Sequence, residues 1–193
     1  MDRFDYERNK LAAEVYNRDA RRRGSDTGIF PPPPVEDYQI DSHASGYTAH
    51  GDYGECPVEF KTITDRFGDT ISVDREWGRF YTDTACRNDK VRWKEGIPVK
   101  DMPLHYINKA KYDKLIKGKG ALLFITKHGL VVFGYRELKK ALVGVAEVYG
   151  RLTTEFEDRY GWEDKAVLDM DCYTRYINYE FPREIWHDRH GDS

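Results

Sequence analysis

Residues Gly51 to Ile63 read G-D-Y-G-E-C-P-V-E-F-K-T-I, and the rest of the chain is read outward from them. Val58 and Phe60 alternate with Glu59 and Lys61, the period of a strand, so the two charged side chains share one face while the apolar pair packs behind them. The bend expected from Gly54, Glu55, Cys56 and Pro57 would carry Asp52 back beside Glu59. Two carboxylates would then converge with an ammonium next to them. Such oxygen donors suit Mg²⁺, which binds through one or two carboxylates plus substrate phosphate, and Mn²⁺ could substitute. The metal would polarise a phosphate ester and lower the pKa of a bound water, and Lys61 would orient or deprotonate that water or stabilise developing charge.

Composition bounds the setting. A chain of 193 residues with 39% hydrophobic and 14% aromatic content can bury a substantial core. It contains no apolar run approaching the roughly 20 residues of a membrane span, and its charged N-terminus carries no signal-peptide pattern, so a cytoplasmic protein is expected. Three scattered cysteines, Cys56, Cys86 and Cys172, fit neither a zinc ribbon nor a disulfide framework and read as reduced thiols. The net charge of −3 counts against simple nucleic-acid binding, but it is unevenly spread. Residues 25–86 hold 4 Lys and Arg against 12 Asp and Glu, and residues 87–119 hold 10 against 4. An acidic metal site beside a basic phosphate-binding surface would give this pattern, as would a solvated charged face.

In chain order, residues 2–23 read as an amphipathic helix on the spacing of Phe4, Leu11 and Val15, closed by Arg21, Arg22, Arg23 and Gly24. Gly24 to Pro34, with four consecutive prolines, is expected to be a stiff extended connection. Strands are expected over 37–44 and 47–53, the latter leading into the Glu59 strand. His43 and His50 nearby read as loop or edge histidines that could also be ligands. Residues 64–103 read as an insertion with a short strand at 70–73. Its aromatics, Trp77, Phe80, Tyr81 and Trp93, could form a satellite core or, interleaved with Arg87, Lys90, Arg92 and Lys94, could grip a nucleic-acid backbone and stack on bases. A helix over 107–117, a buried strand over 121–126, a turn at His128 and Gly129, a strand over 130–133 and a helix over 136–152 follow. The Glu59 strand, the basic helix and the apolar strand predict a crossover, the parallel half of a mixed sheet.

At Glu59-Phe60-Lys61, with Asp52 as the preceding acid, the sequence resembles the PD-(D/E)xK, or restriction-endonuclease-like, nuclease superfamily. Its short spacing and the following Thr62-Ile63 are most similar to the mismatch-repair nicking endonuclease. It departs from the pattern at Gly51, where the superfamily name has proline. The resemblance covers about residues 2–150 and implies an α/β fold with an αβββαβ core, a mixed central sheet flanked by helices. It also implies a metal-dependent DNA endonuclease in which Asp52, Glu59 and Lys61 are catalytic and Asp52 and Glu59 hold the metal. Glu14 from the first helix, or Asp41 as a rival first acid, would complete the metal shell. Thr62, Arg87, Lys90, Arg92 and Lys94 are the candidate DNA contacts.

The expected organisation is a core over 1–152, with the 64–103 insertion serving recognition, and an acidic, aromatic extension over 153–193 packed on the core or a partner. A homodimer would suit cleavage of both strands. A binding protein on a nuclease-like scaffold is the alternative reading.

Overall fold

The computed structural model describes residues 3–24, 28–30, 47–51, 54–63, 89–96, 103–153 and 158–185. They form a mixed α/β structure in which two sheets divide the strands. The first sheet contains β1 (Ile29–Phe30), β2 (Tyr47–Gly51), β3 (Gly54–Thr62), β6 (Ala121–Thr126), β7 (Gly129–Gly134) and β10 (Arg175–Asn178), adjacent in that order. The second contains β4 (Val91–Glu95), β8 (Leu142–Thr153), β9 (Asp158–Asp169) and β5 (Leu104–Asn108), again in spatial order. Helices α1 (Arg3–Arg22), α2 (Lys109–Lys117) and α3 (Tyr135–Ala141) cover the first sheet.

The register of β3 explains its placement. It pairs antiparallel with β2 and parallel with β6, so that Glu59 lies opposite Leu122 and Lys61 opposite Phe124. Parallel pairing requires a crossover, and α2 lies within it. The turn out of α2 passes close over β3, and a Cβ on Gly120 would stand 2.2 Å from the Pro57 carbonyl oxygen, so glycine is required there. β6 and β7 are covered on both faces, and Leu122 to Ile125 and Leu130, Val131 and Phe133 are fully buried, which is why both read as continuous apolar runs. Each such side chain contributes about 1.5–3 kcal/mol of hydrophobic stabilisation.

One face of this sheet packs under α1. Ala12, Ala13 and Val15 join Ile29, Val58, Phe60, Leu123, Ile125, Val132 and Phe181 in one core. Asn17 ties β1 to the helix, its amide donating to the Ile29 carbonyl at 2.7 Å and accepting from the Ile29 N–H at 2.6 Å. Arg8, which pairs with Asp5, donates to the Ile185 carbonyl at 3.1 Å and anchors the end of the described chain. The opposite face packs against Tyr112 and Leu115 of α2, Leu138 and Ala141 of α3, and Ile107, Ala166 and Leu168 of the second sheet.

Several expectations are corrected. Gly54 to Pro57 is paired strand rather than a bend, and Gly51 pairs with Gly54 at the hairpin end. Glu59 lies five positions farther along β3, a span of roughly 17 Å at 3.4 Å per residue. The helix expected over 136–152 stops at Ala141, and Leu142–Thr153 is a long strand paired along its length with β9. Leu138, Leu142, Val145 and Tyr149 do fit a helical stripe, but Val143, Val145 and Val148 favour extended backbone, and Gly144 and Gly150 weaken a helix interior. Gly144 also allows a close approach, since a Cβ there would stand 2.1 Å from the Glu95 carbonyl oxygen of β4.

The 107–117 helix starts instead at Lys109, because Asn108 caps it and the preceding residues form β5. Within the 64–103 insertion, Val91–Glu95 is a strand that the sequence reading left unassigned, while the strand expected at 70–73 lies outside the described residues. The strand expected at 37–44 also lies outside them. From the segment after residue 152, β9 joins the second sheet and β10 extends the first, pairing with β7. Among the described residues, no helix is long and apolar enough to cross a membrane.

Candidate functional site

Alternation along β3 sends Val58 and Phe60 into the core under α1, whereas Glu59 and Lys61 lie on the face opposite, with Ile63 continuing that face into the other core. Glu59 and Lys61 therefore project together, toward α2 and the second sheet. The Glu59 carboxylate is 15% exposed and pairs with the Lys111 ammonium of α2 at 2.9 Å. Lys61 donates to the Tyr106 carbonyl of β5 at 2.7 Å, and its ammonium lies 4.8 Å from the centre of the Tyr106 ring. β5 is an edge strand of the second sheet, so this lysine serves a backbone acceptor at the edge and joins the two sheets.

A second carboxylate with its own cation stands beside this pair. Lys165 of β9 donates to Glu163 Oε1 at 2.6 Å, and its ammonium is 5.7 Å from the centre of the same Tyr106 ring. Asn108 donates to Glu163 Oε1 at 2.8 Å while its own Oδ1 accepts from the Ala110 N–H at 2.8 Å, capping α2. One asparagine thus fixes both the helix that carries Lys111 and the carboxylate on β9. Burial pushes the Glu163 carboxyl upward, but the Lys165 hydrogen bond and charge, the Asn108 bond and the Lys111 charge outweigh it and hold the pKa below the usual value. The result is two carboxylates and three lysines, drawn from β3, α2 and β9, with Lys61 and Lys165 beside the Tyr106 ring and Lys111 paired with Glu59.

His105 lies next to the same cluster, its ring 5.3 Å from that of Phe124. Desolvation and then the Lys61 charge lower its pKa to about 3, against the weaker pull of the Tyr106 backbone bond. Nδ1 lies 2.8 Å from the Tyr106 amide nitrogen and 3.2 Å from the Tyr106 carbonyl oxygen, accepting from the first in one neutral tautomer and donating to the second in the other. His105 is therefore a neutral packing element at physiological pH.

The other sequence candidates are placed as follows. Asp52, Asp41 and Arg87 lie outside the described residues. Glu14 is exposed on α1, the helix covering the sheet face opposite Glu59. Thr62 falls on the Val58 and Phe60 side of β3 by alternation. Lys90 is exposed in the turn before β4. Arg92 stacks on Trp162 with its guanidinium 3.8 Å from the ring centre. Lys94 pairs with Asp164 at 3.2 Å and Glu147 at 3.8 Å, and the Asp164 bond and charge raise its pKa. Because β4 and β5 are opposite edges of the second sheet, about 14 Å apart at 4.8 Å per strand, these three basic residues do not join the Glu59 cluster. Trp93 goes to the satellite core, packed against Leu104, Ala146 and Val167.

Tyr106, Asn108, Lys111, Glu163 and Lys165 were not singled out from the sequence. Lys111 carried a faint signal, as one cation of a basic helix, and Glu163 and Lys165 carried none beyond spacing two apart on what is now β9. Among the described residues, no three His, Cys, Asp or Glu side chains group as a metal site. The two carboxylates offer hard oxygen donors, and the lysines offer donors to phosphate oxygens. No family model, curated protein or solved structure matches the chain.

Proposed function

We propose that this protein is a metal-dependent DNA endonuclease acting through the E-x-K face of β3. The observation that carries the reading is the joint projection of Glu59 and Lys61 from a strand whose parallel neighbour follows a helical crossover. With β4 and β5 of the second sheet set aside as an insertion between β3 and α2, the order α1, β1, β2, β3, α2, β6 supports a restriction-endonuclease-like αβββαβ core.

The donor chemistry fits Mg²⁺: Glu59 would hold it, with Asp41 as the second acid, because Gly51 and Gly54 on either side of Asp52 stand at the hairpin end, roughly 17 Å along β3 from Glu59, and Lys111 would exchange its present partner for a phosphate oxygen. When bound, the metal would supply Lewis acidity and a lowered water pKa. Lys61 would orient the attacking water and stabilise charge developing on the phosphate, released from the Tyr106 carbonyl or shared with it. The proposed setting is a cytoplasmic one, and paired incision would take two copies of the chain.

The test is incubation of the purified protein with supercoiled plasmid in Mg²⁺ or EDTA, beside Glu59→Ala. Nicked or linear product that needs Mg²⁺ and Glu59 is expected; equal cutting by the variant would remove Glu59 from the chemistry. One observation favours the second reading, a binding protein on a nuclease-like scaffold. Glu59 is already neutralised by Lys111, as a structural ion pair would be. If that reading holds, Mg²⁺ will not raise the melting temperature; if the nuclease reading holds, it will, and Glu59→Gln and Asp41→Asn will each abolish the rise.

A further inference from the structure

We infer that the solvated end of the β8 and β9 ribbon binds unpaired DNA, whose bases stack on the Tyr149, Tyr160 and Trp162 strip while Arg92 meets a phosphate. The inference rests on the nuclease reading for the choice of DNA, and it adds that the substrate carries a single-stranded stretch. It concerns binding and needs no metal.

The register puts the three rings on one face. Tyr149 of β8 stands opposite Trp162 of β9, and Tyr160 lies two residues before Trp162. The Tyr149 and Tyr160 rings stack with their centres 6.5 Å apart and their planes 26° from parallel, and Trp162 meets Tyr149 edge-on at 5.5 Å. Among the described residues, Tyr149 and Tyr160 are the exposed large hydrophobic side chains, and they are neighbours. Farther along the same face of β9, Ala166 and Leu168 pack into the core shared with the first sheet. The strip begins where that cover ends.

Arg92 supplies the charge. On β4 it stands opposite Glu147, which lies two residues before Tyr149, so it shares the aromatic face, and its guanidinium lies 3.8 Å from the centre of the Trp162 ring. Lys94 takes both carboxylates of that face, Glu147 and Asp164. Among the described residues no carboxylate pairs with Arg92, whose side chain is exposed. A guanidinium stacked on an indole keeps its in-plane N–H donors for a phosphate, and its uncompensated charge matches that of one phosphodiester. Every base has a π-face to lay on exposed rings. A duplex hides those faces in its own stack and an unpaired stretch presents them, which is what selects the occupant.

The experiment is fluorescence anisotropy with the full chain in EDTA, over a salt series, using a labelled single-stranded oligonucleotide of about 16 nucleotides and the blunt duplex it forms with its complement. The single-stranded form should bind more tightly than the duplex. Tyr149→Ala and Tyr160→Ala should each weaken its binding about tenfold, and Tyr160→Phe should keep native affinity, because the stacking surface remains. Arg92→Ala should weaken binding and reduce the magnitude of the log–log salt slope by about 0.7, whereas Lys139→Ala on α3 should change neither. Thermal melts identify any variant that has lost its fold, and the exposed Tyr160 then carries the test.

Native affinity in folded Tyr160→Ala and Arg92→Ala would overturn the strip, as would a native protein that binds the single-stranded form no better than the duplex. Sedimentation of the protein alone tests the other cover, a second copy of this chain. A dimer that Tyr160→Ala dissociates, with oligonucleotide binding unchanged, would overturn the DNA assignment. Plasmid cutting that needs Mg²⁺ and Glu59, beside native oligonucleotide affinity in Tyr160→Ala, would leave the nuclease reading intact and remove this strip. Tyr160-dependent binding without any Mg²⁺-dependent cutting would do the reverse.

Discussion

The two sheets contribute in opposite ways. The first has its central strands β6 and β7 covered on both faces, with Phe124 and Leu123 fully buried. The second buries Ala166 and Leu168 on one face and Leu104, Ala146 and Val167 on the other, but leaves Tyr149 and Tyr160 exposed at 39% and 66%. One sheet supplies rigidity and the E-x-K strand. The other supplies Lys165 and the second carboxylate, Glu163, on the same side of β9 as Val167. Burial on both faces imposes apolar runs that sequence periodicity detects, and a half-solvated sheet leaves a mixed pattern that a helix can imitate.

The comparison can be broken most easily at its centre. Phe124→Ala should cost about 3–5 kcal/mol in urea unfolding, because it empties space between α2, β7 and the second sheet. A cost below about 1 kcal/mol would mean that the first sheet is not the structural core. His105, where the sheets meet, should make stability pH-dependent. Its folded pKa is depressed, so the unfolded state takes up the proton first, and stability falls as pH drops from about 6.5 toward 3, by up to roughly 4 kcal/mol. His105→Asn, whose Oδ1 can accept the Tyr106 N–H, should flatten that part of the pH curve; an unchanged slope would place the acid lability elsewhere.

Gly144→Ala sharpens the contrast within the second sheet. Its new Cβ would collide with the Glu95 carbonyl, and β4 should separate from β8 at a cost of about 1–3 kcal/mol by denaturant melt. Tyr160→Ser, at the solvated end of the β8 and β9 ribbon, should change stability by no more than about 0.5 kcal/mol. A larger loss there would show that the ribbon is covered in solution.

What was legible follows the same division. The first helix, β3, β6 and β7 were readable from apolar spacing, and the shared face of Glu59 and Lys61 from simple alternation. β8 was not, since Leu138, Leu142, Val145 and Tyr149 satisfy a helical period and only the valines and the two glycines betray the strand. Lys111, the partner of Glu59, and Lys165, the second cation beside the Tyr106 ring, were hidden for another reason. Lys111 lies 52 positions after Glu59 and Lys165 106, brought near by β5 pairing with β9 and by the Asn108 cap, long-range geometry that no local pattern encodes. The supposed bend at Gly54 to Pro57 failed because Pro57 sits within a paired strand, a position that proline tolerates less often.

The most direct measurement is of Lys61→Ala beside the native protein, with duplex binding measured in EDTA and plasmid cleavage in Mg²⁺. The account predicts binding within about threefold of native and cleavage lowered at least about a hundredfold, since Lys61 acts on charge that develops only as the bond breaks. Native cleavage by the variant would contradict it.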